Sequence, residues 1–428
     1  MHSPWAGGVI LVAFAVLALI LANIPQTAGV YHHLLESHLT VGFDHFRLSK
    51  PLEAWINDGL MVIFFFYVGL EIKREIIAGQ LSGVRRAALP VAAAIGGMAV
   101  PALIYVLINR SGDFLSGWGI PMATDIAFAI GILSLLGNRV PVSLKVFLMA
   151  LAVVDDLGGI LVIAVFYSTD IQVGMLVAAA VVFVFMILLK RLNVYKMRYY
   201  LILSVVMWIL FLYSGIHATI AGVLLAFTIP TGSRVNLHSF MDWSGEQVHR
   251  AREAFEPETP VLAQEEYLQT VKSLSRVSRQ VVPPAIRLEH RLHPWVYFAA
   301  LPLFALTNAG VRFIDGDPAA IFADPVLYGV MLGLLIGKPI GIMLMSFLTV
   351  KLKAATLPQG VTWLHMLGAG ILGGVGFTMA IFVANLAYAD PAHIATAKMG
   401  ILLASLAAGA IGFLFLLVQA KRSQGEKE

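Results

Sequence analysis

Runs of about 20 apolar residues, the length an α-helix needs to cross roughly 30 Å of hydrocarbon, recur along the whole of this chain. No other feature restricts the fold as strongly, because within a bilayer only helices and closed barrels satisfy their own backbone polar groups. Twelve runs can be read, at residues 5–24, 52–72, 87–109, 114–137, 142–168, 171–189, 199–213, 215–230, 294–313, 325–350, 361–388 and 392–419. Only Ser214 and Gly215 separate the seventh from the eighth. The composition agrees, with 59% apolar and 13% charged residues among 428, against roughly a quarter charged in soluble domains. The expected fold class is an all-α membrane protein with 12 transmembrane helices. The first run lacks the basic leader and cleavage site of a secretory signal and reads as a retained span.

Charge is scarce and unevenly placed. Of 29 basic and 25 acidic residues, 8 of each lie between Thr231 and His293. The net charge of +4 gives no reason to expect nucleic acid as a partner; it fits basic loops that anchor helices to one side of a bilayer. Alternate loops carry Lys73, Arg74, Arg85 and Arg86, then Arg139, then Lys190, Arg191, Lys196 and Arg198, then Lys351 and Lys353, and finally Lys421, Arg422 and Lys427. The positive-inside rule makes these loops, and both termini, cytoplasmic. Having no cysteine, the chain forms no disulfide, thiolate metal site or thiol nucleophile.

Four segments follow: residues 1–230 with spans one to eight, an insert at 231–293, residues 294–420 with spans nine to twelve, and a tail at 421–428. Pro257, Pro260, Pro283 and Pro284 divide the insert. Between them Leu268, Val271, Leu274 and Val277 recur at helical spacing among Glu265, Glu266, Lys272, Arg276 and Arg279, a pattern for an amphipathic helix lying on the membrane surface or on its own protein. Composition alone equally allows a solvated charged linker. The outer segment from Tyr31 to Lys50 holds His32, His33, His38 and His45, without the closely spaced ligand pair of a zinc site.

Against this apolar background, four charges fall near the middle of spans: Asp125 in span four, Asp155 and Asp156 in span five, and Lys338 in span ten. Each unpaired charge at that depth costs on the order of 2.5–3.5 kcal/mol, and intramembrane ionisable groups mark transport pathways. Two successive helical residues point about 100° apart, so Asp155 and Asp156 cannot both meet one partner. One is free to pair with Lys338 while the other faces water or an ion. A purely structural ion-pair network is the competing interpretation, and a weak one, because buried pairs add little net stability.

Spans four and eleven are interrupted alike. Gly117, Gly119 and Pro121 precede Thr124 and Asp125 in one, and Gly368, Gly370, Gly373, Gly374 and Gly376 precede Thr378 in the other. Corresponding interruptions in the two halves of a transporter point to a binding site between inverted repeats. Two unwound spans that cross bring like helix-dipole ends together. A carboxylate such as Asp125 offsets the positive ends and an ammonium such as Lys338 the negative ones.

At these residues the chain closely resembles the NhaA-type bacterial sodium/proton antiporters, which are built from inverted repeats. The matching stretches are Gly69 to Glu75 (GLEIKRE), Ala123 to Phe128 (ATDIAF), Phe147 to Gly158 (FLMALAVVDDLG), Ser214 to Gly222 (SGIHATIAG), Leu288 to Trp295 (LEHRLHPW), Leu334 to Pro339 (LLIGKP) and Gly373 to Met379 (GGVGFTM). The resemblance implies a secondary antiporter of the bacterial inner membrane, with spans four and eleven crossed and discontinuous. It would export Na+ or Li+ against inward H+, use no cofactor, and pair into a homodimer through a β-hairpin within residues 31–50. It makes Asp156 the primary sodium ligand and proton carrier, with Thr124 and Asp155 beside it. Asp125 and Lys338 would balance the crossed spans, Lys338 pairing with Asp155 when the ion is absent. Glu71, Arg74, Glu75, Glu289, His290 and His293 would form a cytoplasmic pH-sensing cluster. His217, in a matching motif, is either pH-responsive or a packing histidine. The insert at Thr231 to Val282 is longer than is usual for the family, and the stretch before Trp5 is short.

Exchange needs only competition. Sodium prefers oxygen ligands, and desolvation favours the uncharged form of a carboxyl group, so protons and sodium contend for the same oxygens. If Asp155 and Asp156 both lose protons to sodium, one net charge moves inward per cycle. Lys338 is the alternative second proton carrier, and the sequence leaves both open. Three other classes compete: a sodium-coupled symporter of the same architecture, an intramembrane aspartyl protease using Asp125 and Asp156, and a passive channel. The protease lacks a GxGD signature in this chain, and Lys338 would hinder a shared proton.

Overall fold

The computed structural model describes residues 6–43, 46–110, 112–168, 171–192, 194–233, 235–312 and 322–425. The chain begins with α1 (Ala6–Asn23) and α2 (Pro25–Glu36), then an antiparallel hairpin of β1 (His38–Phe43) and β2 (Phe46–Pro51). Thr40 pairs with Ser49 across it, hydroxyl to hydroxyl at 2.9 Å. Residues 31–36 remain helical, so the strands occupy only the later part of the outer segment. His45 lies outside the described residues, among which no three His, Asp or Glu side chains converge on a point that could hold a metal.

Next come α3 (Leu52–Ala78) and α4 (Val84–Ile108), then a 3₁₀ stretch, Gly112–Met122, that leads into α5 (Ile126–Leu135). They are followed by α6 (Val142–Phe166), α7 (Val173–Arg191), α8 (Met197–Ser214) and α9 (Thr219–Thr228). The eighth apolar run was expected to be helical from residue 215. Gly215 instead takes a left-handed φ of 79° as the C-cap of α8, and helix resumes only at Thr219. Before Pro284 the insert folds as two helices, α10 (Leu237–Glu253) and α11 (Glu265–Val281), which pack on each other and are joined by a turn that Gln264 ties to the Glu256 and Thr259 carbonyls at 2.7 and 2.6 Å.

α12 (Pro284–Trp295) passes through a π-helical turn, Val296–Ala300, into α13 (Leu301–Asn308). α14 (Pro325–Leu332) does the same through Gly333–Gly337 into α15 (Lys338–Lys351). The chain ends with α16 (Trp363–Gly373), α17 (Phe377–Ala387) and α18 (Pro391–Gly425). Among the described residues seven helices are long and apolar enough to cross a membrane, and two bent pairs also qualify when each is taken as one span. Their bends are 43° between Gly112–Met122 and α5, and 46° between α16 and α17.

α7 exposes Val173, Val177, Val181, Val184 and Leu188, as a helix bathed in hydrocarbon does. The inward faces pack around α3, α6, α13, α17 and α18. One approach needs glycine on both sides: a Cβ on Gly341 would lie 2.1 Å from the Gly96 carbonyl oxygen. Backbone contact of this kind is how helices associate where apolar burial provides no drive, and it holds α15, with Lys338 at its start, against α4.

Candidate functional site

The two helix breaks meet, and they meet at charged residues. Helix α5 cannot begin before Ile126 because Asp125 is its N-cap, with Oδ1 accepting from the Phe128 N–H at 3.0 Å. The other carboxylate oxygen reaches across to the start of α17, accepting from the Thr378 N–H at 3.1 Å and the Thr378 hydroxyl at 2.5 Å. Asp125 therefore serves the positive ends of two half-helices at once. The backbones are joined as well: Asp125 N–H donates to the Val375 carbonyl at 2.7 Å, and the Thr124 hydroxyl donates to the Gly373 carbonyl at 3.0 Å. Carbonyls freed by the glycine-rich break thus find donors at membrane depth, as they must.

Lys338 lies against the opposite polarity. Its ammonium donates to the carbonyl of Met122, the last residue of the 3₁₀ stretch. It also forms an ion pair of 2.5 Å with Asp155 Oδ2. Lys338 is 1% exposed, so the pair is fully withdrawn from solvent, where a separated charge would cost several kcal/mol.

Asp156, the next residue on α6, is 4% exposed. Its Oδ2 and the Oδ1 of Asp155 are buried atoms without a hydrogen-bond partner among the described residues. Buried oxygens are ordinarily satisfied; open carboxylate oxygens can accept a proton or a hard cation. Thr124, Asp125, Asp155, Asp156 and Lys338 are all buried together where the broken spans meet α6 and α15.

A second group lines a cavity of about 630 Å³ bounded by Glu71, Arg74, Ser134, Lys145, Glu289 and His293, among others. Arg74 organises it, with guanidinium distances of 2.6 Å to Glu289, 3.4 Å to Glu75 and 3.9 Å to Glu71. His290 also lines the cavity. Burial pushes the Glu289 carboxyl above the ordinary carboxylate range, and the neighbouring Arg74 only partly opposes this. Glu71 and Glu75 sit on the last turns of α3, while Glu289, His290 and His293 sit on α12, whose helix runs on through the π turn to Asn308. His217 stands apart from both groups, with Nε2 2.9 Å from the Tyr167 carbonyl oxygen.

Three residues gain a place here that sequence reasoning did not give them. Lys73, read as a loop cation, is buried and donates to the carbonyls of Ala226 at 3.1 Å, Phe227 at 2.8 Å and Ile229, closing the C-terminus of α9. Its place beside Arg74 in a charged stretch concealed this. Thr378 was noted only as the end of a glycine-rich run, yet it supplies two donors to Asp125. Tyr67 lies on the wall of the large cavity, with no sequence signal beyond its position one helical turn before Glu71.

The family model described as Na+/H+ antiporter 1 matches residues 1–416. The chain is 47% identical over 411 residues to the Na(+)/H(+) antiporter NhaA 2 of Syntrophotalea carbinolica, covering 96% of this chain and 93% of the relative. It is 48% identical over 422 residues to the NhaA antiporter of Oleidesulfovibrio alaskensis, covering 99% and 93%. With that of Wolinella succinogenes it shares 45% over 421 residues, covering 98% and 92%. Since the family model and these relatives take in nearly its whole length, and the matched region contains the meeting point of the two helix breaks, the chain belongs to the NhaA-type Na+/H+ antiporter family.

Proposed function

We propose that this protein is a secondary antiporter of the bacterial inner membrane, expelling Na+ or Li+ in exchange for inward H+ by alternating access, with no cofactor. The observation that carries the reading is the pair of open, buried oxygens on Asp155 and Asp156 beside two interrupted spans, in a chain 45–48% identical to named Na+/H+ antiporters. Asp156 is the primary ion ligand and proton carrier, and Asp155 and the Thr124 hydroxyl complete the oxygen set. Asp125 and Lys338 hold the two breaks in a crossed arrangement within inverted repeats. The twelve apolar runs are twelve spans, with both termini in the cytoplasm, and the β1–β2 hairpin is the homodimer contact.

A site that reorients only when loaded with sodium or with protons couples the two flows without covalent chemistry. Release of two protons for one sodium makes the cycle electrogenic. At about 2.3 kcal/mol per charge per 100 mV, an inside-negative potential then favours sodium export. Lys338 fits the second proton carrier as well as Asp155 does, because sodium binding to Asp155 would free the ammonium from its 2.5 Å partner. The Arg74 cluster, with its two histidines, faces the cytoplasmic entrance and sets the pH response.

A sodium pulse applied to proteoliposomes, with lumenal pH followed across external pH, tests the proposal. Proton movement upon sodium addition alone is expected. Its absence, or a requirement for an organic co-substrate, would replace antiport with symport. Conductance without coupled proton movement would indicate a channel, and no observation on the structure favours either of these or a protease.

A further inference from the structure

Asp125 does not line the large cavity at Arg74. Behind it lies an inner cavity of about 10 Å³, lined by Tyr67, Glu71, Asp125, Tyr297, Thr378 and Met379 among others, with room for about one water. Tyr67, Glu71, Ala127 and Tyr297 border both cavities and so form the wall between them. Two of the four are aromatic and face each other edge to face, with ring centres 6.0 Å apart at 90°. His293 completes the cluster: it stacks on Tyr297 at 4.5 Å and 23° and meets Tyr67 at 6.0 Å and 71°.

The two tyrosines are held differently. Tyr67 is 4% exposed on the regular helix α3. Tyr297 lies in the π-helical turn Val296–Ala300 between α12 and α13, a local departure from α geometry that is frequent at functional sites. The same helix presents Glu289, His290 and His293 to the outer cavity one to two turns earlier. Displacement of α12 would therefore carry Tyr297 with it, while Tyr67 stays on its own helix.

We propose that Tyr67 and Tyr297 form the gate between the outer cavity and the inner cavity at Asp125 and Thr378, where the two helix breaks meet, with the aromatic rings, rather than the hydroxyls, as the barrier. Edge-to-face rings fill the wall with low-dielectric material that an ion cannot cross without either shedding water or parting the rings. Which ion passes rests on the antiport reading above; the barrier itself does not.

The absence of cysteine makes the test direct. Met379→Cys places a single thiol on the inner cavity, which Met379 lines while not bordering the outer one. Everted vesicles carrying the full chain are treated with a small cationic methanethiosulfonate, and the labelling rate is read. Tyr297→Ala in the Met379→Cys background is expected to raise that rate about tenfold or more, whereas Tyr297→Phe leaves it within about twofold. An unchanged rate with Tyr297→Ala overturns the gate, and so does Tyr297→Phe labelling as fast as Tyr297→Ala, since the hydroxyl would then be the barrier. Should Tyr297→Ala not elute as a folded species, Tyr67→Ala takes its place with the same expected and overturning results. Sodium-driven proton flux in the unsubstituted protein is measured separately: its absence alongside the expected labelling pattern overturns the antiport reading and leaves the gate standing.

Discussion

Asp155 and Asp156 are consecutive on one buried helix, yet only Asp155 is held by Lys338, at 2.5 Å, while an oxygen of Asp156 has no hydrogen-bond partner among the described residues. The 100° turn between successive helical positions keeps the two side chains from meeting one partner. Asp156→Asn preserves shape and removes the titratable charge. It is expected to abolish sodium-dependent proton flux in everted vesicles while leaving a folded, membrane-inserted protein. Flux at the parent level would take the ion-carrying role away from Asp156.

Lys338→Ala leaves Asp155 as an uncompensated buried charge, a loss of about 3–5 kcal/mol when one partner of such a pair is removed. A lower melting temperature in detergent is expected, together with a shifted pH profile of exchange. The double substitution Asp155→Ala with Lys338→Ala should recover part of the loss, because the coupling between contacting groups is not additive. If Lys338→Ala melts like the parent and its profile is unaltered, the pair has no holding role.

What could be seen in the sequence was set by how strongly the bilayer punishes exceptions. Asp125, Asp155, Asp156 and Lys338 stood out because charge at mid-span is costly, and the structure places all four in the buried region at the helix breaks. The glycines around residues 117–121 and 368–376 marked two spans that do bend, by 43° and 46°. The burial of Lys73 is not legible, because a cation at a helix end looks the same in sequence whether it reaches water or the carbonyls of α9, a partner more than 150 residues away. Helix α10 is not legible in the sequence because polar residues dominate it. Tyr67 and Tyr297 carry no charge to betray them, and their meeting depends on the packing of α3 against the π turn.

Thr378 provides two of the donors that hold Asp125 between the broken spans. Thr378→Val keeps the shape and removes the hydroxyl, leaving one carboxylate oxygen of Asp125 less well satisfied, at a cost of about 1–3 kcal/mol for a buried group. Reduced thermal stability and reduced exchange are expected together, with Thr378→Ser retaining both. A Thr378→Val protein with parental melting would show that the backbone N–H alone is enough to fix the two helix starts.

Glu289 offers the clearest pH signature outside the spans. Burial raises its carboxyl above the ordinary range, although Arg74 lies 2.6 Å away and opposes the shift. An acid with a raised folded-state value binds its proton more tightly in the folded protein than in the unfolded chain. Its contribution to stability is then fully present below the ordinary carboxylate range and is lost as pH rises through the raised value. The melting temperature of the parent is thus expected to fall over that window. Glu289→Gln, which remains uncharged throughout, should flatten the fall, and it should blunt the pH dependence of exchange if the Arg74 cluster sets it. Parallel melting curves for parent and variant across the window would show that ionisation of Glu289 is not what loosens the junction of α3 with α12.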